Sequence, residues 1–209
     1  MSSINGLYVI TDETMIADAD LKHYVEQAIL GGASVVQYRN KNSDYETKVS
    51  QAEEILKICN LHSVPLIIND DIALCAEINA DGVHLGQNDA DIFDAKEHLG
   101  SDAIIGITCH DSIDLAVKAQ EQGADYVAFG RFFPSQTKPD APPADVSVLE
   151  KAQLMLNIPT VAIGGITADN AKQIIAAGAS SIAVAGAVFA DKDPKGQAEK
   201  LSKLFERVE

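Results

Sequence analysis

The sequence predicts a single-domain (β/α)8 barrel, an α/β TIM barrel spanning residues 1–209. Three observations carry that prediction. Eight short apolar runs rich in β-branched residues recur along the chain. Amphipathic segments separate them. Several of those segments end in glycine just before the next run, where a helix can stop in the left-handed conformation.

The runs come in order. "LYVIT" starts at Leu7, "SVVQYR" at Ser34, "PLIIN" at Pro65 and "GVHLG" at Gly82. "IIGITC" starts at Ile104, "YVAFG" at Tyr126, "TVAIGG" at Thr160 and "SIAVAG" at Ser181. Their near-continuous hydrophobicity suits parallel strands covered by helices. Between the second and third runs, Tyr45, Val49, Ala52, Ile55, Leu56 and Cys59 keep the spacing of one helix face. Asn42, Ser43 and Asp44 supply the turn and N-cap before it. Leu201, Leu204, Phe205 and Val208 repeat the helical spacing near the C-terminus. Glycines close the helices in "ILGGAS", "EHLGSD", "EQGADY" and "AAGASS".

A doubly wound open sheet predicts the same local pattern. No Gly-x-Gly-x-x-Gly follows the first run, which weakens that rival and its dinucleotide reading. The length lies at the small end of the barrel's usual range. No linker or low-complexity stretch divides the chain. The Pro-rich segment "RFFPSQTKPDAPPAD" from Arg131 reads as a lid rather than a domain boundary.

The chain carries 31 acids against 16 bases, a net charge of −15. It lacks the basic footprint of a nucleic-acid binder and the basic segments that hold anionic membranes. "MSSINGLYVITDE" has no basic region and no long apolar run, unlike a secretory signal. No window approaches the roughly 18 apolar residues of a membrane span. Cys59, Cys75 and Cys109 are widely spaced and read as buried reduced thiols. The cytoplasm is the expected compartment, and a homo-oligomer is an open alternative to a monomer.

In this fold the chemistry gathers where the strands end at their C-terminal side. Those ends carry polar groups here. Gln37, Arg39 and Lys41 stand two residues apart, so an extended chain points them to one side. Asn69, Asp70 and Asp71 follow the third run, and Gln87 and Asp89 follow the fourth. Thr108 and His110 close the fifth. Arg131, Ser135, Thr137 and Lys138 follow the sixth. Gly164-Gly165 and Ala185-Gly186 follow the last two.

The last two loops of such barrels commonly bind phosphate through backbone N–H groups. Thr167 in "GGITADN" reads as an N-cap that would aim a helix at the anion. Asp70 and Asp89 are hard oxygen donors on adjacent strand ends and suit Mg²⁺, which takes one or two carboxylates and completes its shell with substrate oxygens. Arg39, Lys41 and Lys138 could face a second anion. A divalent cation with several cationic side chains suggests pyrophosphate. Asp71 and Asp91 read as surface or capping residues, and His84 as packing within the fourth strand. His110 fits a structural or an orienting role equally.

"QYRNK", "IINDD", "DGVHLGQND", "GITCH", "SQTKPD" and "IGGIT" form an ordered set. With it the chain resembles the thiamine phosphate synthase family over nearly its whole length. That resemblance implies a transferase of thiamine biosynthesis (EC 2.5.1.3). It would join 4-amino-5-hydroxymethyl-2-methylpyrimidine diphosphate to a thiazole phosphate, or to its carboxylated form, releasing pyrophosphate. The implied chemistry is dissociative: the pyrimidine methylene loses pyrophosphate, and the thiazole nitrogen attacks the resulting carbocation.

By the same resemblance, Gln37, Arg39, Lys41, Asn69, Thr108 and Lys138 would contact the pyrimidine diphosphate. Asp70 and Asp89 would bind Mg²⁺. Ser135, Thr137, Gly165, Ala185 and Gly186 would hold the thiazole phosphate. Lys138, Thr108 and Arg39 would be the catalytic groups, Lys138 on the departing pyrophosphate. The chain departs from the family pattern at Asn40, where an acid is frequent, at Ser135, where Thr is common, and at Arg131, where many members have Pro. "IAVAGAV" also differs from the more usual ending, so Ala185 and Gly186 would act through their backbone. The rivals are a thiazole tautomerase, which shares the barrel but needs no diphosphate set, and a barrel that only binds thiazole or thiamine phosphate.

Overall fold

In the computed structural model, which describes residues 4–134 and 142–206, all eight expected runs form parallel strands. They are β1 (Gly6–Ile10), β2 (Ala33–Tyr38), β3 (Leu66–Asn69) and β4 (Gly82–Leu85). β5 (Ile104–His110), β6 (Tyr126–Phe129), β7 (Thr160–Ile163) and β8 (Ser181–Val184) complete them. β1 pairs with β2 on one side and with β8 on the other, so the sheet closes. That closure excludes the open doubly wound sheet.

Alternation along each strand serves two cores. On β1, Tyr8 and Ile10 point into the barrel beside Val35, Ile67 and Val161. Leu7 and Val9 point outward to the helices. Both faces are buried, which is why the strands read as unbroken apolar runs.

The helices α1 (Leu21–Leu30), α2 (Tyr45–His62), α3 (Ile72–Ile78) and α4 (Ile92–Leu99) follow the first four strands. Then come α5 (Ile113–Glu121), α6 (Ser147–Met155), α7 (Ala171–Ala176), α8 (Gly186–Phe189) and α9 (Pro194–Ser202). Asp44 caps α2 by accepting from the Thr47 N–H, as expected. Asp71 and Asp91 cap α3 and α4 in the same way. Gly32, Gly100, Gly123 and Gly178, just past four helix ends, all have positive φ.

Three expectations need correction. Tyr45 opens α2 but is exposed, with its hydroxyl donating to Glu77, because the buried face turns to Ala52, Ile55, Ile58 and Cys59. The C-terminal face does not run on as one helix: α9 ends at Ser202, a 3₁₀ turn takes Lys203–Phe205, and Val208 lies outside the described residues. Thr167 does not cap α7. The helix starts at Ala171, and the Asn170 side chain instead folds back to accept from the Thr167 N–H at 2.8 Å.

The N-terminal side of the barrel is clamped by polar residues that precede strands. Asp81 accepts from the Leu66 N–H at 2.8 Å, and its own N–H donates to the Leu66 carbonyl. Asp125 does the same with Ile105. Each clamp fixes the register of one strand against the next and leaves the opposite end free for chemistry. None of the described helices is long and apolar enough to cross a membrane.

Asp125→Ala would leave the Ile105 N–H without its partner. It should lower stability by about 1–3 kcal/mol, the cost of an orphaned buried donor. A fall in the urea midpoint at unchanged slope checks this, and an unchanged midpoint contradicts the clamp.

Candidate active site

The C-terminal ends of β1 and β2 are tied by one side chain. The Arg39 N–H donates to the Thr11 hydroxyl at 2.8 Å, and that hydroxyl donates to the Arg39 carbonyl at 3.1 Å. β2 stops at Tyr38, so the period of two that would align Gln37, Arg39 and Lys41 stops with it. The three side chains diverge. Gln37 is buried inside the barrel. Arg39 leans toward β1, with Nη1 3.7 Å from Asp12 and 3.8 Å from Glu13. Lys41 leans toward β3, its Nζ 3.6 Å from Asp70.

Glu13 organises this corner. Its Oε1 accepts from the Lys41 N–H at 3.0 Å and from the Asn42 amide at 2.8 Å. Among the described residues, Arg39 Nε and Glu13 Oε2 are buried without hydrogen-bond partners. The pair is therefore held close, with one donor and one acceptor left unused by the described residues.

β3 ends in a left-handed residue, Asp70, with φ of 64°. That turn swings its carboxylate over the rim, where the Asn69 amide donates to it at 2.6 Å. Asp89 reaches the same place from the loop after β4 and accepts from the Gly86 N–H at 2.7 Å. Burial pushes the Asp70 carboxyl above its ordinary range, and the negative charge of Asp89 adds to this; Lys41 and Asn69 oppose it. Two carboxylates crowded against each other are a donor set that a divalent cation would relieve. Among the described residues no cluster of three or more His, Cys, Asp or Glu could hold a metal. A cation here would thus draw its remaining ligands from substrate and water, as Mg²⁺ commonly does.

A cavity of about 260 Å³ opens beside this rim. Asn40, Lys41, Lys48, Asn69, Asp70 and Asp71 supply its polar walls. Lys48 was not anticipated. Its one sequence signal is its place four residues after the Asp44 cap, in the first turns of α2.

Thr108 lies near the end of β5, where the pairing with β6 shifts between Thr108 and His110. Its carbonyl accepts from the Gln87 amide at 2.6 Å. His110 has φ of 52°, and its carbonyl accepts from the Gly130 N–H at 2.9 Å. That is a structural use of its backbone. His84 does more than pack: it bonds Thr108 through Nε2 and Tyr126 through Nδ1, at 2.8 and 2.9 Å.

After β6, residues 131–134 run beside the β7 end. The Phe132 N–H donates to the Ile163 carbonyl and the Phe133 N–H to the Gly164 carbonyl. The far side of this loop returns to the same place, where the Ala144 N–H donates to the Arg131 carbonyl at 2.7 Å. Gly164 and Gly165 have φ of 101° and 63°, and a Cβ on either would stand within 2.3 Å of this segment. Packing alone therefore explains both glycines, before any ligand is considered. Ala185 and Gly186 sit where β8 passes into α8. Ser135, Thr137 and Lys138 lie outside the described residues.

Burial pushes the thiols of Cys59, Cys75 and Cys109 up to about 12. All three are buried and free, which suits inert packing.

A family model described as thiamine monophosphate synthase matches residues 7–188. The thiamine-phosphate synthase of Nitrosococcus oceani is 49% identical over 204 residues, covering 98% of this chain and 94% of the relative. That of Methylobacillus flagellatus is also 49% identical over 204 residues, covering 97% and 96%. Among solved structures, thiamine phosphate pyrophosphorylase from Pyrococcus furiosus superposes with a TM-score of 0.88 at 32% identity, covering 97% of this chain and 96% of that one.

The crowded carboxylates have a measurable consequence. A raised folded-state pKa means the folded protein binds more protons than the unfolded chain between the ordinary carboxylate range and the raised value. Stability then falls as pH rises through that window. With divalent cations chelated, Asp70→Asn should raise the unfolding midpoint at pH 7. The gain should shrink as the pH is lowered to the ordinary carboxylate range. A variant less stable than the parent at pH 7 would show that the Lys41 pair outweighs the repulsion.

Proposed function

The chain belongs to the thiamine monophosphate synthase family, and from that premise we propose how its barrel mouth carries out the transfer. The reaction joins the pyrimidine methylene of 4-amino-5-hydroxymethyl-2-methylpyrimidine diphosphate to the nitrogen of a thiazole phosphate. Thiamine phosphate and pyrophosphate are the products.

The observation that carries the assignment of roles is the meeting of opposite charges at one rim. Asp70 and Asp89 crowd together there with Lys41 beside them, and the cavity lined by Lys48 and Asn69 adjoins them. An acidic protein has reason to concentrate cations only where an anion must sit. Lys41, Lys48, Asn69 and Arg39 face the diphosphate in this reading. Gln37 and Thr108, deeper in the barrel, face the pyrimidine.

Asp70 and Asp89 would hold Mg²⁺, which when bound neutralises charge on the diphosphate oxygens. The side chains carry the rest of the chemistry. As the C–O bond of the methylene lengthens, negative charge grows on pyrophosphate. Arg39 and Lys138 then interact more strongly than in the ground state, and that difference lowers the barrier. The pyrimidine carbocation needs no protein nucleophile. It needs a positioned thiazole and the exclusion of water, which would capture it as an alcohol. The loop after β6 is suitably placed to exclude water. Ser135, Thr137, Gly165, Ala185 and Gly186 orient the thiazole phosphate, the last three through backbone N–H groups. The acceptance of a carboxylated thiazole and residence in the cytoplasm belong to the same reading.

One assay tests it. The purified protein should form thiamine phosphate from the two substrates with Mg²⁺ and lose that activity with chelator. No product with Mg²⁺ present, alongside interconversion of thiazole isomers, would instead make the chain a tautomerase. Asp70→Ala and Asp89→Ala should raise the Mg²⁺ requirement about tenfold or more, since even indirect metal partners cost about 10–100-fold. An unchanged Mg²⁺ titration in both removes the metal assignment. Lys138→Ala should cut kcat by roughly 10²–10³ and leave thiazole phosphate affinity nearly intact. Equal losses in both would undo its leaving-group role.

A further inference from the structure

Five side chains inside the barrel bond in a row. The Gln37 amide Nε2 donates to the Tyr8 hydroxyl at 2.8 Å. The Tyr8 and Tyr126 hydroxyls meet at 2.9 Å. Tyr126 meets His84 Nδ1 at 2.9 Å, and His84 Nε2 meets Thr108 Oγ1 at 2.8 Å. The two ends of the row, Gln37 and Thr108, are the groups assigned above to the pyrimidine. The middle three have no part in that assignment.

The protons in this row can be placed by counting. Burial pushes both phenols well up, so each keeps its proton and has one to give. The Gln37 nitrogen can only donate, so it fills one acceptor site on the Tyr8 oxygen. If Tyr126 also donated to Tyr8, the Tyr8 proton would be stranded in a fully buried place. A stranded buried donor costs more than a bond gains. The arrangement without a stranded proton runs one way. Tyr8 donates to Tyr126, Tyr126 donates to His84 Nδ1, and the Nε2–H of neutral His84 donates to Thr108.

The Thr108 oxygen then already accepts, and its own proton is left for a ligand. At the other end the Gln37 nitrogen is committed inward, so the amide offers its oxygen, an acceptor. The mouth thus presents a donor at Thr108 and an acceptor at Gln37. An aromatic heterocycle with an exocyclic amine and an unprotonated ring nitrogen matches that pair. Its oxo analogue, with a carbonyl in place of the amine, does not.

We propose that Tyr126 is a positioning residue that fixes the His84 tautomer and, through His84 and Tyr8, sets the donor at Thr108 and the acceptor at Gln37 that select an amino-pyrimidine over its oxo analogue. This rests on the placement of the pyrimidine given above. Tyr126 itself is fully buried and is assigned no substrate contact. Its ring stacks on His84 with centroids 5.5 Å apart, and it fills the space a side chain at Gly106 would need.

Tyr126→Phe keeps the ring and removes the hydroxyl. The Michaelis constant for the pyrimidine diphosphate should rise about tenfold, the worth of one buried hydrogen bond. That for thiazole phosphate should stay constant. Preference for the amino substrate over the oxo analogue should fall by a similar factor. Equal rises for both substrates, or unchanged preference, overturn the proposal. Combining it with Thr108→Val should cost less than the sum of the two single losses, because the branch through His84 is then already cut, and full additivity also overturns it. In the parent protein, ¹⁵N NMR should find His84 protonated at Nε2 and bare at Nδ1. A protonated Nδ1 refutes the one-way row even if Tyr126→Phe does not fold. If Thr108→Val and Thr108→Ser both leave the pyrimidine constant untouched, the placement of the pyrimidine is wrong. The NMR result then judges the row separately.

Discussion

A closed eight-stranded barrel has an interior only as wide as its own side chains, and whatever polar group it admits must be satisfied from within. Here two tyrosines 118 residues apart in sequence meet hydroxyl to hydroxyl in that interior. Everything above them depends on this contact. It anchors Gln37 on one side and His84 on the other. It also dictates a small neighbour, since Gly106 leaves room for the Tyr126 ring. The apolar layer of Ile10, Val35, Ile67 and Val161 shields the bonds from water, which strengthens each of them.

Charge is handled differently, and at a different height. Inside the barrel the proposed row of hydrogen bonds needs no charged member. The ionised groups, Arg39, Asp12, Glu13, Lys41, Asp70 and Asp89, are gathered at the rim, where solvent and ligand can share the cost of holding them. The rim is not a simple cationic patch. Arg39 is held by two carboxylates and Lys41 by one, so these two cations are already paired before any substrate arrives. The crowded acids make the same rim receptive to a divalent cation. A surface proposed to bind both a cation and a diphosphate would stay near balance when empty, which suits a protein with a net charge of −15.

The strands and most caps were legible because local rules decide them. A β-branched run buried on both faces looks the same wherever it occurs, and Asp44, Asp71 and Asp91 cap helices by contacts three residues long. The location of polar groups at strand ends was legible because the fold assigns chemistry to that side. Side-chain direction was not. Gln37, Arg39 and Lys41 diverge because β2 ends between them and because Thr11, just past the end of β1, bonds Arg39. Thr167 failed as a cap because Asn170 closes the turn from behind, a choice between two similar residues that sequence alone does not rank. Tyr8 and Tyr126 were hidden more deeply. Each sits in an apolar run and looks like core, and only barrel closure brings their hydroxyls together.

The separation of a neutral interior from a charged rim also explains why the two halves of the proposed substrate can be recognised by independent means. Attraction between unit charges acts over several ångströms and tolerates small displacements, so the rim can hold a flexible diphosphate. A hydrogen bond loses most of its strength when bent or stretched, so reading a ring's donors and acceptors demands fixed partners. Rim side chains such as Lys41, whose side chain is 52% exposed, suit the first task and not the second. Gln37 and Thr108 suit the second because a row of buried bonds holds them. In the proposed placement, the barrel therefore sets its buried, hydrogen-bonded polar groups under the ring whose identity matters and its charges around the group that leaves.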